Sequence, residues 1–156
     1  MRTSYTEQRE FLEYIVHKDY YKFLKNELNK YIQHGTTSIY KHSQHVAFFS
    51  YKMAKLFKNK FNANIDFEAL IKASYMHDLF MYDWHEKTNW HRLHGYTHPA
   101  LAAQNAEKYC NATQKEIAII KTHMWPLTIT KIPKSKEAWI LTLCDKYSTI
   151  KEFFVK

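Results

Sequence analysis

The sequence predicts an all-α fold, in which a single domain forms a bundle of about six helices. Glycine and proline are scarce, with two glycines and three prolines in 156 residues. An all-β fold needs many tight turns, and these two residues commonly form them. Apolar residues instead recur at helical spacing through most of the chain. A length of 156 residues is typical of one domain with a sizeable core.

The N-terminal half contains three predicted helical regions. Residues 6–33 carry aromatic and apolar side chains at helical spacing, and we interpret them as one bent helix or two short ones. Gly35 is expected to stop this region. A second helix begins at Thr37 or Ser38, either of which is a good N-cap, and continues to about residue 58. A third begins at the N-cap Asp66 and ends around residue 79.

The C-terminal half contains three more predicted helices after an irregular segment. The periodicity breaks down over residues 80–97, and an irregular loop of this length is often functional. Pro99 fits the first position of a fourth helix that ends near residue 109, with His98 as its N-cap. Thr113 begins a capping-box pattern that opens the fifth helix, which ends before the next proline. A last helix covers about residues 134–154.

The dipeptide His77-Asp78 lies at the end of the apolar run of the third helix. Four further residues with metal-ligating side chains lie on or at the edge of predicted helices: His42, His98, His123 and Asp145. Burying a neutral imidazole beside a carboxylate is costly unless something binds both groups. Imidazole nitrogens and carboxylate oxygens suit transition metals, and no thiolate in the set demands zinc. Six such residues suffice for one metal ion and are well suited to two.

The order of these residues resembles the HD superfamily of metal-dependent phosphohydrolases. The segments that carry the resemblance are His42-Ser43-Gln44-His45-Val46-Ala47, His77-Asp78, His98-Pro99, His123-Met124-Trp125-Pro126-Leu127 and Asp145-Lys146. The segments Leu93-His94-Gly95-Tyr96-Thr97-His98-Pro99 and His123-Met124-Trp125-Pro126-Leu127 also resemble a small bacterial branch of it. The resemblance implies a metal-binding core over residues 38–152. Residues 1–35 are then a helical extension that packs outside this core.

The resemblance also implies two divalent transition metal ions. The first is expected to be held by His42, His77, Asp78 and Asp145, and the second by Asp78, His98 and His123. His77 and Asp78 are the expected catalytic residues. We expect iron or manganese, with zinc, nickel and magnesium as alternatives. In such a centre a water of lowered pKa attacks a phosphoester or phosphoanhydride without a protein nucleophile.

Four residues are weaker candidates for substrate contacts. Lys146 either binds substrate phosphate or is simply solvated. Asp83 supplies an acid or lines a solvated loop, and Trp125 is one of several aromatic residues that stack on a base or pack internally. His94 competes with His98 as a metal ligand. We favour His98 because a proline follows it, and we then expect His94 to affect substrate affinity.

Charge and hydropathy limit the classes of molecule that the protein is expected to bind. The formal net charge of +8 attracts polyanions, but the lysines are dispersed and no nucleic-acid module is visible, so we expect a small phosphorylated substrate rather than nucleic acid. No apolar stretch approaches the length of a bilayer span, and the first residues lack the apolar region of a signal peptide. We therefore expect a cytoplasmic protein with no membrane partner and two reduced cysteines, for which a homo-oligomer is an open possibility.

The leading hypothesis for function is a phosphohydrolase with a dinuclear metal centre that acts on a nucleotide or a related small phosphate ester. One alternative is a di-iron oxygenase of the HD type, because some such proteins activate oxygen with much the same ligands. Another is a non-catalytic sensor that holds a metal ion or a nucleotide. Loss of a ligand would mark such a sensor, and all six candidate positions are filled in this chain.

Overall fold

The computed structural model describes residues 5–15, 18–86 and 93–154, and over these residues the predicted all-α class is confirmed. Within them lie seven helices: α1 (Tyr5–Glu13), α2 (Asp19–Leu28), α3 (Ile39–Phe61), α4 (Phe67–Met76), α5 (His94–Cys110), α6 (Gln114–Lys121) and α7 (Lys136–Phe154). The first predicted region is therefore two short helices. A two-stranded sheet, β1 (Ile32–His34) and β2 (Thr37–Ser38), separates α2 from α3.

The long helix α3 is the centre of the bundle. It packs against α4 on one side and α7 on another, and α6 packs against both α4 and α5. Side chains such as Val46, Leu70 and Leu141 are fully buried where these helices meet. The helical part of residues 5–15, 18–86 and 93–154 includes no helix both long and apolar enough to cross a membrane.

The short hairpin formed by β1 and β2 replaces the end of the predicted N-terminal helical region. Its strands are antiparallel, with Ile32 opposite Ser38 and His34 opposite Thr37. Gly35 does not stop a helix but lies in the turn with a φ of 56°, a left-handed conformation that glycine adopts without a steric penalty. Strands of two and three residues are too short to show a period of two in the sequence.

The fourth predicted helix begins earlier than expected. Helix α5 starts at His94 with Leu93 as its N-cap, so His98 is not an N-cap and Pro99 lies inside the helix. The prediction that Pro99 marks the first helical position is therefore wrong. Pro99 is the sixth residue of α5, where it removes one backbone hydrogen bond of the helix without ending it. The segment predicted as an irregular loop is thus helical from His94, while residues 87–92, including Trp90 and His91, lie outside the described residues.

Two other helices each end next to a candidate ligand, and the first of them, α4, ends earlier than predicted. Helix α4 ends at Met76, so His77 is its C-cap and Asp78 lies in the following turn. Helix α6 ends at Lys121, and His123 lies in the turns that follow it. A helix end frees the chain from the 100° rotation between neighbouring helical positions. Consecutive side chains such as His77 and Asp78 can therefore approach the same site.

The capping box of α6 provides a test of the local sequence reasoning. The Thr113 hydroxyl accepts a hydrogen bond from the Glu116 backbone N–H at 3.3 Å, and the Glu116 carboxylate accepts one from the Thr113 N–H at 2.8 Å. We expect Thr113→Ala to lower the free energy of unfolding by about 1 kcal/mol, because one N-terminal N–H loses its acceptor. Urea denaturation monitored by circular dichroism measures this change. Thr130→Ala, at an exposed position, is the control and should change stability by less than about 0.5 kcal/mol.

Candidate metal centre

The six candidate ligands converge from five elements. Helix α3 contributes the first histidine, the end of α4 the His-Asp dipeptide, α5 and the turn after α6 one histidine each, and α7 the second aspartate. They are His42, His77, Asp78, His98, His123 and Asp145, each less than 10% exposed. Three overlapping groups among them each bring three ligand atoms within 4.8 Å of one another. The sequence-predicted set is therefore one buried cluster.

Asp78 lies between two pairs of histidines. Its Oδ2 is 3.3 Å from Nε2 of His77 and 3.9 Å from Nε2 of His42. Its Oδ1 is 3.2 Å from Nε2 of His98 and 3.6 Å from Nε2 of His123. One carboxylate thus presents a separate oxygen to each pair, and the cluster has two halves.

Asp145 completes the first half of the cluster. Its Oδ1 lies 3.1 Å from Nε2 of His42 and 3.5 Å from Nε2 of His77. The first half therefore contains two imidazoles and two carboxylates, and the second contains His98, His123 and the other oxygen of Asp78. His123 also has a ligand atom within 4.8 Å of those of His77 and Asp145, so it adjoins both halves.

The outer nitrogen of every histidine in the cluster is hydrogen-bonded away from the centre. Nδ1 of His77 donates to the Ser74 carbonyl at 2.7 Å, Nδ1 of His98 to the His94 carbonyl at 2.8 Å, and Nδ1 of His123 to the Ile120 carbonyl at 2.8 Å. A carbonyl oxygen only accepts, so the hydrogen resides on Nδ1 in these three rings. Nδ1 of His42 likewise faces the Glu152 carboxylate at 3.0 Å. The four Nε2 atoms therefore direct their lone pairs inward when the rings are neutral.

The interior of the cluster is consequently rich in acceptors and poor in donors. Nε2 of His98 and Nε2 of His123 are 2.9 Å apart, and two lone pairs at that distance repel each other. Nε2 of His77 is buried and has no hydrogen-bond partner in the part of the chain that the structure describes. A cation relieves both conditions, and imidazole with carboxylate is a donor set that divalent transition metals accept. The residues present thus fit a divalent metal ion.

Protons are the other means of balancing these charges in the metal-free protein. Burial disfavours the imidazolium of His42, but bonds to Asp145 and Glu152 outweigh it and raise the pKa to about 9. Burial together with the neighbouring His98 and His77 lowers the pKa of His123 to about 3. Burial would raise the pKa of Asp78, yet His77 and His98 hold it well below the ordinary range. Protons and metal ions therefore compete for the same nitrogens.

The comparison with protein families agrees with this geometry. A family model described as HD domain matches residues 39–150, about seven tenths of the chain. The chain belongs to the HD domain family. No curated protein and no solved structure matches it. Divalent metal binding is a property of HD domains, and the buried clusters of this HD domain fit it.

A cavity of about 630 Å³ opens onto the metal-binding cluster of this HD domain. Asp78, His98, His123 and Asp145 line its floor, and the apolar residues Met124, Pro126, Leu127 and Ile150 line part of its wall. Lys146 lines it as well, and its ammonium donates to the His123 carbonyl at 2.8 Å. Burial lowers the pKa of Lys146. The cavity therefore combines a cation, an apolar surface and the candidate ligands.

His94 lines the cavity without joining the metal cluster. Its ring stacks between Trp84, at a centroid distance of 5.2 Å, and His98, at 4.5 Å. Its Nδ1 is 2.7 Å from the Tyr82 hydroxyl. Of the two competing histidines, His98 is thus the one that the structure brings to Asp78.

Two predicted substrate contacts lie elsewhere. Asp83 and Trp125 are absent from the described residues that line the cavity. The Asp83 carboxylate accepts a hydrogen bond from the His85 backbone N–H at 2.9 Å and is nearly half exposed. Trp125 packs edge-to-face on Trp139 at 4.9 Å. Each side chain is thus engaged outside the cavity, which places these two candidates away from the site.

Three residues that the sequence reasoning missed also belong to the site. Glu152 accepts from His42, and its other oxygen lies 2.9 Å from Nδ1 of His45. Glu152 follows Asp145 by seven residues on α7, which is two helical turns on the same face, so helical spacing alone could have found it. Gln33 and His34 line the cavity from β1. Residues 1–35 therefore do not pack wholly outside the core as predicted.

The ligand register can be tested with two histidines of the same helix. We expect His98→Ala to bind fewer Mn²⁺ ions per chain than the unaltered protein, because it removes a nitrogen that faces Asp78. His94→Ala is the matched control one turn away, and it should bind as many ions as the unaltered protein. Isothermal titration calorimetry with elemental analysis measures both. A full complement of ions in His98→Ala together with a loss in His94→Ala would show that the register is wrong by one turn.

Proposed function

We propose that this protein is a phosphohydrolase with a dinuclear divalent metal centre, acting on a nucleotide or a related small phosphate ester. One observation carries the proposal: the two oxygens of Asp78 face separate histidine pairs, and all four Nε2 atoms point at the two carboxylates. This arrangement suits a carboxylate that bridges two ions. Membership in the HD domain family supports metal-dependent phosphohydrolysis as the chemistry.

The roles of the residues follow from the two halves of the cluster. In the proposed centre, His42, His77 and Asp145 would hold one ion, His98 and His123 would hold the other, and Asp78 would contribute a ligand to each. When bound, such ions lower the pKa of water and stabilise negative charge on the phosphoryl group. Water adds its oxygen to phosphorus, the bond from phosphorus to the leaving oxygen breaks, and the leaving oxygen takes up a proton. Glu152 supports this centre by fixing the ring of His42.

The cavity supports a small phosphorylated substrate. Among the described residues that line the cavity, the one lysine is Lys146, whose ammonium group attracts a phosphate group. A long polyphosphate would require several positive charges along the cavity. Trp84 and His94 add aromatic side chains to the lining of the cavity, a composition that suits an aromatic base. The net charge of +8 favours the approach of anions in general. We therefore propose a nucleotide or another small phosphate ester as the substrate class.

One experiment separates this function from its two alternatives. The protein is purified without chelator, its metals are measured, and it is screened against nucleotides and generic phosphate esters for phosphate release. Oxygen uptake is recorded in parallel. Two Fe or Mn ions per chain with phosphate release support the proposal. Iron with oxygen uptake and no phosphate release would indicate an oxygenase, and bound metal with neither activity would indicate a sensor.

Two aspartates give a matched test of the catalytic centre. We expect Asp78→Ala to abolish phosphate release, because it removes the carboxylate that contacts both halves of the cluster. Asp83→Ala removes a half-exposed carboxylate outside the cavity and should lower the activity by less than the roughly 10²–10⁴-fold that loss of a general acid costs. Initial rates with p-nitrophenyl phosphate and Mn²⁺ measure both variants. Equal and mild losses would contradict the role of Asp78.

A further inference from the structure

The hairpin outside the family match supplies part of the cavity wall. The HD domain match begins at residue 39, whereas Gln33 and His34 lie on β1 and both line the cavity. Neither residue belongs to the metal cluster. This wall is therefore a feature of the present chain beyond the matched region, and its chemistry bears on which substrate enters.

Gln33 is held in one orientation by Asp78. Its Nε2 donates to Oδ2 of Asp78 at 2.7 Å, and since a carboxylate only accepts, the nitrogen must face Asp78. The amide oxygen, Oε1, is then left on the other side. Gln33 is 8% exposed, and its buried Oε1 has no hydrogen-bond partner within residues 5–15, 18–86 and 93–154. Buried polar atoms in folded proteins nearly always have a partner, so this acceptor needs a donor from outside the chain.

Trp84, on the same wall of the cavity, has a hydrogen-bond donor that needs an acceptor. Its ring packs against His34 at a centroid distance of 6.1 Å and stacks on His94, which places it next to the hairpin. Its Nε1 is buried, and no described residue forms a hydrogen bond with it. The indole N–H only donates, so this atom needs an acceptor. Trp84 lines the cavity as Gln33 does.

An acceptor and a donor that both lack partners match a ligand group that can donate and accept. A hydroxyl group has this property, whereas a methylene group leaves both atoms unsatisfied. Because Gln33 also holds Asp78, such a hydroxyl would lie close to the reacting phosphoryl group. We infer that the substrate is the phosphate ester of a hydroxylated alcohol, such as a polyol or a sugar, and that Gln33 and Trp84 determine this specificity. The inference rests on the proposed phosphohydrolase function.

Equilibrium binding of two phosphonates tests this inference without relying on hydrolysis. 3,4-Dihydroxybutylphosphonate carries two hydroxyls, butylphosphonate has the same carbon chain without them, and neither carries a hydrolysable phosphoester bond. Calorimetry on the Mn²⁺-loaded protein should show that the hydroxylated ligand binds at least about tenfold more tightly. A site built to hydrogen-bond a hydroxyl rejects the analogue that lacks it, because its own polar groups stay unpaired.

Two variants assign the preference to its residues. Trp84→Phe keeps an aromatic ring beside His94 but removes the N–H, and it should reduce the preference to about threefold or less. Gln33→Met removes the acceptor and should reduce it similarly. Trp139→Phe, which removes an indole N–H outside the cavity, is the control and should keep the full preference. Circular dichroism verifies that each variant is folded, and metal analysis verifies that Gln33→Met is loaded.

The possible outcomes separate this inference from the proposed function. Equal affinity for the two phosphonates in the unaltered protein, or no binding of either, would overturn the inference and indicate that water satisfies both atoms. Retention of the full preference in both Trp84→Phe and Gln33→Met would overturn it as well. Phosphate release from glycerol 1-phosphate and n-propyl phosphate is measured separately. Absence of release from both, with the binding preference intact, would refute hydrolysis while leaving hydroxyl recognition standing.

Discussion

The gathering of hydrogen-bond acceptors around Asp78 is the constraint on which the rest of the structure depends. Four imidazole nitrogens and two carboxylates meet in a space from which solvent is nearly excluded. Such a set is unfavourable by itself, since these buried acceptors lose their water and only a few donors, such as the Gln33 amide, replace it. A divalent cation turns the same set into a binding site. The fold is therefore arranged so that five separate elements deliver these groups to one point.

Helix ends explain how the imidazoles are held in the required orientation. The last carbonyl groups of an α-helix have no partner within the helix, and two histidines use them. Nδ1 of His77 donates to the Ser74 carbonyl near the end of α4, and Nδ1 of His123 donates to the Ile120 carbonyl near the end of α6. Each bond gives a helix-end carbonyl a side-chain donor and directs Nε2 inward, and the Ile120 carbonyl also accepts from the His123 backbone N–H at 3.3 Å. The same hydrogen bonds therefore both cap the helix ends and orient the candidate ligands.

The sequence predicts the fold class because most of its helical segments are strongly periodic. It indicates the six members of the cluster because their order along the chain resembles that of the HD superfamily. The sequence does not predict elements that are too short to show a repeating hydrophobic pattern. The hairpin that carries Gln33 spans too few residues to differ from a fraying helix. Pro99 predicts a helix start, but α5 begins five residues earlier. A proline restrains only its own nitrogen and the preceding residue, so it does not fix where the helix begins. The sequence also does not show that Gln33 and Trp84 each have a buried polar atom without a partner among the described residues, because burial depends on contacts between distant segments.

Anomalous diffraction from crystals grown with Mn²⁺ tests the central claim most directly, because it locates each ion against the side chains that hold it. We expect two peaks, one on each side of Asp78. One lies beside His42, His77 and Asp145, and the other lies beside His98 and His123. A single peak, a peak beside His94 in place of His98, or no peak within the cluster would contradict it.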